Sequence, residues 1–395
     1  MKIDFQATAI QYRDELLQNV IPFWLRHSVD GEHGGYYTCL DREGRVYDTD
    51  KFLWLQGRQV WTFAMLYELV DRRQEWLDTA LHGARFLRAH GRDPRGNWYF
   101  SLTREGRPLV QPYSIFSDCF AAMAFARVGH ATGNEEDVRI ARETFRSILR
   151  RRENPKGPYN KSVPGTRPLS SFALPMILSN LALELEPVLS NVELEEFLRS
   201  AIHEVLEVFP DRESGLIREH VSPDGRGSDS FEGRLLNPGH AIEAMWFMME
   251  CAVRLGDQAT IRRAVECTLR TLEFGWDREH GGIYAFLDLH GHPPQQLEWD
   301  QKLWWVHLET LVALLTGYVH TRDDRCLIWF LKVHEYTWSR FPDPEFGEWF
   351  GYLNRRGEVL LPLKGGKWKG CFHLPRALLR CWRLLEQLAE IPPVN

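Results

Sequence analysis

Apolar residues recur at i, i+3, i+4 and i+7 through twelve stretches of the chain: 5–25, 54–70, 75–90, 114–133, 136–151, 170–185, 194–209, 238–256, 260–276, 302–320, 325–341 and 371–388. That period predicts twelve amphipathic helices. The even-numbered stretches are apolar around more of their circumference. PGHAIEAMWFMMECAV (238–253) and SSFALPMILSNLALEL (170–185) carry little charge after their first turns, whereas EDVRIARETFRSILRR (136–151) is half charged. A helix apolar all round is buried, so the even helices are expected inside and the odd ones outside.

Between an odd helix and the next even one the pattern changes to turns flanking alternating aromatic and apolar residues, which reads as a hairpin. Two of these connectors are nearly the same sentence: DGEHGGYYTCLDREG from Asp30 and DREHGGIYAFLDLHG from Asp277. Weaker copies start at Asp93, Asp211 and Asp343, at intervals of 63, 118, 66 and 66 along the five. The long interval is about two periods. The place of the missing copy, near residue 153, holds the turn-rich ENPKGPYNKSVPGTRP. A period near 60 implies six units in 395 residues. The expected fold is all-α: six helical hairpins closed into one (α/α)6 barrel over residues 1–395, with short β-hairpin connectors on one rim.

Composition narrows the partners. Lys+Arg 48 against Asp+Glu 54 leaves −6, with no basic stripe, so nucleic acid is not expected. Seven cysteines, an odd number with no C-x-x-C, argue against a disulfide framework or zinc knuckle and fit a reducing cytosol. No signal-type start and no apolar run of about 20 residues appear, so no membrane span is expected. Fifteen tryptophans are many; they supply core packing and platforms for sugar rings.

In such a barrel every inner helix begins at the connector rim, so the inner helix starts should line one cavity. They carry an unusual set: Arg58 in WLQGR, His240 and Glu243 in NPGHAIE, Lys302, Trp305 and Glu309 in KLWWVHLE, and His373 in CFHLPR. His240 and Glu243, three apart, share a face, as do Lys302, Trp305 and Glu309 at i, i+3 and i+7. Asn237-Pro238 reads as N-cap and N1, and His373 stands at a second helix start. The positive helix end disfavours imidazolium, so both histidines are expected as neutral bases, oriented by Glu243 or Glu309. Abstracting a proton from carbon beside a carbonyl needs such a base and a charge for the enolate oxygen, for which Arg58 is the candidate. Two bases on opposite faces of one carbon invert it. H-E-x-x-H, G-x-S-x-G, G-x-G-x-x-G and P-loop patterns are missing. An inverting glycosidase would need two facing carboxylates and would leave the histidines idle.

LQGR (55–58), NPGHAIE (237–243), KLWWVHLE (302–309), GEWFGYLNRRGE (347–358) and LKGGKWKGCFHLPR (363–376) make the chain resemble the N-acylglucosamine 2-epimerase family over essentially its whole length. The resemblance implies an (α/α)6 barrel, commonly a homodimer, that interconverts N-acetylglucosamine and N-acetylmannosamine without redox cofactor or metal. It implies His240 and His373 as the acid/base pair, with Arg58 and Glu309 essential, and the reading here assigns His373 to the gluco face and His240 to the manno face. Glu243, Lys302 and Trp305 are expected to bind substrate. The family's cellobiose epimerases and aldose–ketose isomerases usually carry another histidine on the sixth helix; here Met176 and Asn180 stand there, which favours the N-acetylhexosamine branch and adds both to the expected substrate contacts. Members of that branch are typically activated by ATP, and GPYNKS, with Gly157, Tyr159 and Lys161, resembles the proposed nucleotide segment, although Pro158 replaces the expected basic residue. Epimerisation or isomerisation of a non-acetylated sugar remains an alternative. So does a sugar- or protein-binding barrel, since animal members are also known as renin-binding proteins.

Overall fold

The computed structural model describes residues 3–161, 163 and 165–390. All twelve expected helices form. We label them α1 (residues 5–27, with a π-helical turn at Glu15–Val20), α2 (Leu53–Leu69), α3 (Gln74–His90), α4 (Ile115–Thr132), α5 (Glu135–Arg151), α6 (Ala173–Glu184), α7 (residues 191–208, ending in a π turn), α8 (Pro238–Leu255), α9 (Gln258–Gly275), α10 (Trp304–Thr321), α11 (Asp324–Arg340) and α12 (His373–Ala389). A single-turn helix, Phe231–Arg234, precedes α8.

The even helices make the inner ring. α2 packs on α4, α4 on α6, α6 on α8, α8 on α10 and α10 on α12. The ring closes where the Thr62 hydroxyl of α2 donates to the Cys371 carbonyl at 2.8 Å and Trp61 meets Phe372 edge-on just before α12. Each outer helix packs on the preceding inner one, and α1 packs on α12. Burial follows the expected division. α8 is buried almost throughout Pro238–Ala252, whereas α5 buries one stripe that includes Ile140, Ala141, Thr144, Phe145 and Ile148. Among the described residues no helix is long and apolar enough to cross a membrane.

The connectors do more than turn the chain; they link neighbouring units around the rim. The short strand before an inner helix pairs antiparallel with the next unit's connector: Lys51–Phe52 with Ser101–Leu102, Ser170–Ser171 with His220–Val221, Leu235–Leu236 with Leu287–Asp288, and Lys302–Leu303 with Tyr352–Leu353. A bridge between Asp41 and Leu363 joins the last unit to the first.

The repeated sentence serves this linkage. Its first Asp caps the turn, Asp30 accepting from the Glu32 and His33 amides and Asp277 from those of Glu279 and His280. The same carboxylate takes a buried lysine from the segment before the inner helix, on the entering strand for Lys51 on Asp30 at 2.9 Å and Lys302 on Asp277 at 3.1 Å, and just after the Leu363 bridge for Lys364 on Asp343 at 2.8 Å. It also takes an arginine from the second turn of the following unit: Arg104 on Asp30, Arg355 on Asp277 and Arg42 on Asp343. Lys302 is therefore rim scaffold, correcting its expected place among the substrate contacts. The expectation assumed a helix running from 302; α10 begins at Trp304, and extended backbone at Lys302 delivers its amine to Asp277.

Candidate active site

Two glycines set the spacing of the site. A Cβ on Gly57 would stand 2.7 Å from the Phe120 carbonyl oxygen of α4, so the glycine of LQGR lets α2 and α4 approach. A Cβ on Gly239 would stand 2.6 Å from the Trp305 ring, so the glycine of NPGH seats that ring against the start of α8. Trp305 then lies between the two histidines, its ring centre 5.4 Å from that of His240 and 5.8 Å from that of His373. The two imidazoles, 133 residues apart in the sequence, thus border one volume at the rim.

His240 is the third residue of α8; its amide donates to the Asn237 side chain, the N-cap, at 3.1 Å. His373 opens α12. Each imidazole places Nδ1 on a carboxylate and keeps Nε2 as the nitrogen available to a substrate. His373 meets Glu309 at 2.7 Å, and His240 meets both oxygens of Glu219 at 3.1 Å. Glu309 is fully buried and held from three sides, by His373, by the Arg376 guanidinium at 2.7 Å and by the Trp246 indole N–H at 2.9 Å. Arg376 also donates to Glu243.

The charges follow from these contacts. Burial pushes Glu309 up, but Arg376 and the His373 hydrogen bond outweigh it and hold the carboxyl at about 2. Burial pulls His373 down to about 3, so it stands neutral. His240 goes the other way: burial lowers it, and Glu219 with Glu243 more than restores it, leaving the pKa raised. The expectation of two depressed histidines is thus corrected for His240. A helix end contributes partial charges, whereas Glu219 sets a full charge against the ring.

Arg58 lies in an aromatic box, its guanidinium carbon 4.0 Å from the ring centre of Phe120, 4.5 Å from Trp54 and 4.8 Å from Phe372. Among the described residues its Nε finds no hydrogen-bond acceptor. Burial brings its pKa down to about 9, which leaves it charged at neutral pH. Such a desolvated cation strengthens any interaction with an oxyanion. Glu243, Glu309 and His373 bring donor atoms within 4.8 Å of one another, as a metal set would. Arg376 already bonds the same oxygen of each carboxylate, so the cluster has its cation.

A family model described as N-acylglucosamine 2-epimerase matches residues 35–377. The chain belongs to the N-acylglucosamine 2-epimerase family. The N-acylglucosamine 2-epimerase of Rattus norvegicus is 42% identical over 385 residues, covering 95% of this chain and 91% of that protein. The cellobiose 2-epimerase of Bacteroides fragilis is 27% identical over 391 residues, covering 92% and 95%. The solved structure of cellobiose 2-epimerase from Spirochaeta thermophila DSM 6192 shares the fold, with a TM-score of 0.82 at 23% identity over 98% of each chain.

Within this family member, Arg58, Glu243, Trp305, Glu309, His240 and His373 come together as the sequence suggested. Asn180 is fully buried and donates to the Met123 sulfur of α4 at 3.7 Å; Met176 is buried one turn earlier. Gly157 and Tyr159 form an exposed turn, and the Tyr159 hydroxyl donates to Gln111. Lys161 is exposed, and Ser162 of that segment lies outside the described residues. Two partners were missed. Arg376 was findable, since i+3 from His373 shares its helix face. Glu219 hides in the weak fourth copy of the repeat. Two residues beyond the bridged position of each connector the chain buries Thr38, Phe100, Ala285 and Gly351; the fourth connector puts Glu219 there.

Proposed function

We propose that the chain is a carbohydrate 2-epimerase of the isomerase class that interconverts N-acetyl-D-glucosamine and N-acetyl-D-mannosamine at C2. One observation carries the chemistry: two carboxylate-bound imidazoles flank a single tryptophan beside a desolvated guanidinium. In the open-chain sugar the C1 aldehyde acidifies the C2 proton. One histidine removes that proton, Arg58 stabilises the oxygen of the resulting enediolate, and the other histidine protonates C2 from the opposite face. The substrate follows from likeness, since the relative named for N-acylglucosamine is 42% identical and the one named for cellobiose 27%. The barrel over residues 1–395 acts as one catalytic unit in this reading. Its seven free cysteines suit a reducing cytosol. ATP activation through the Gly157–Lys161 turn and homodimer formation belong to the same reading and rest on the family resemblance.

The test is proton exchange. Purified protein is incubated with N-acetylmannosamine in heavy water, with and without ATP, and followed by NMR. N-acetylglucosamine with deuterium at C2 is the expected product. Neither product nor exchange, with turnover of mannose, glucose or cellobiose instead, would move the substrate to the non-acetylated branch. No exchange with any of them would leave a binding barrel, for which two polarised imidazoles serve no purpose.

A further inference from the structure

The two histidine–carboxylate pairs are built alike and charged differently. Glu309, which holds His373, already carries Arg376 on the same oxygen and Trp246 on the other. Among the described residues Glu219, which holds His240, pairs with no lysine or arginine. Among the described residues its carboxylate hydrogen-bonds to His240 alone, through both oxygens, and its side chain is 8% exposed. A buried carboxylate without a counter-charge is unstable, and a proton on His240 is the counter-charge within reach. The other charged groups around the cavity do not supply one. Glu243, one turn along the same helix, and Glu309 on α10 share Arg376 of α12; Arg58 on α2 sits in its aromatic box; His373 on α12 is neutral.

We propose that Glu219 is a positioning residue that keeps the proton on His240 in the resting protein, so that His240 begins as the acid and His373 as the base. This rests on the two-histidine reading above. The step balances without a co-reactant. With N-acetyl-D-glucosamine bound, Nε2 of His373 takes the C2 proton, the C2–H electron pair becomes the C1–C2 double bond, and the C1 oxygen takes the charge. Nε2–H of His240 then protonates C2 from the other side as the carbonyl re-forms. Turnover leaves the proton on His373 and His240 neutral; from N-acetyl-D-mannosamine the same steps run in reverse. Return of a proton to His240, through solvent, is downhill because Glu219 faces it. The raised pKa of His240 and the lowered one of His373 agree with this order.

The experiment compares wild type, Glu219→Gln and Glu219→Asp in two readouts. The first is the pH profile of kcat/KM, whose acid limb reports protonation of His373 and whose alkaline limb reports loss of the proton from His240. The second is an NMR titration of the histidine rings, which needs no activity. Glu219→Gln is expected to lower the His240 midpoint by about one pH unit, to move the alkaline limb equally and to leave the acid limb in place. On the alkaline side that is roughly a tenfold loss of kcat/KM per unit. Glu219→Asp keeps the charge, so it is expected to keep the alkaline limb while lowering kcat. An unchanged His240 midpoint in Glu219→Gln overturns the proposal whatever the rate does. A lowered midpoint with an unmoved alkaline limb overturns instead the role of His240 as the acid, and with it the two-histidine reading.

Discussion

Arg376 decides how much negative charge the pocket holds. It is 2% exposed and bonds the carboxylates of both Glu243 and Glu309. Without it two buried carboxylates would face one imidazole, and Glu309 would act on His373 with its full charge. Two effects of Arg376→Met follow. Losing one partner of a buried ion pair costs about 3–5 kcal/mol, so the urea midpoint should fall. His373 loses a neighbour that now lowers its pKa, so its pKa rises and the acid limb of kcat/KM moves to higher pH. Arg376→Lys should recover part of the stability, because an ammonium offers one point charge where the guanidinium spans two carboxylates. An Arg376→Met variant with wild-type midpoint and wild-type acid limb would show that the guanidinium is incidental.

At the scale of the connector, the repeated Asp is a joint between units rather than a surface turn residue. Asp30, Asp277 and Asp343 each sit against a lysine that is itself fully buried. Changing any of them to Asn keeps the turn's acceptor and strips the lysine of its counter-charge, at a cost of about 3 kcal/mol. Asp93 accepts from the amides of Arg95 and Asn97 and, among the described residues, pairs with no lysine, so Asp93→Asn should cost under ~1 kcal/mol. Equal urea midpoints for Asp93→Asn and Asp277→Asn would refute this division. The same comparison shows what could be read in the sequence. Helical periods and the unequal polarity of odd and even helices were visible because burial acts on every residue of an element, so α8 and α5 declared their layers. Lys302 was misread because a helix boundary two residues away changes which side the chain presents. Glu219 was missed because its meaning comes from His240, 21 residues on, and its own copy of the repeat is degenerate. The charge on His240 was misjudged for the same reason: the helix end is written locally and the carboxylate is not.

For the whole molecule, acid stability should fall in two stages. Burial pulls His307 and His373 each to about 3 and His334 to about 4. Unfolded, each titrates near 6.5. Between those values the unfolded chain binds more protons, so stability drops as pH falls, by about 1.4 kcal/mol per pH unit for each group. Glu309 and the rim aspartates Asp30, Asp277 and Asp343 are held below their ordinary range. Their contribution is complete above the carboxylate range and is lost below about pH 4. His240, with its raised pKa, works in the opposite sense and is lost as pH rises through that value. Denaturant midpoints should therefore begin to fall near pH 6.5, well before the carboxylates titrate. The repeat supplies the variant that tests this. His307 fastens the fifth connector to α10, its Nε2 accepting from the Ile283 amide at 3.0 Å and its Nδ1–H donating to the Leu303 carbonyl at 2.7 Å. Five residues after Lys51, where His307 stands five after Lys302, the first unit has Gln56, whose amide oxygen accepts from Tyr36 at 2.8 Å. His307→Gln thus borrows a solution the barrel already uses. It should fold, keep the connector fastened and lose one of three titrating groups, so the slope of stability between pH 6.5 and 5 should fall by about a third. A slope unchanged in that variant would mean that the early acid sensitivity comes from elsewhere in the barrel.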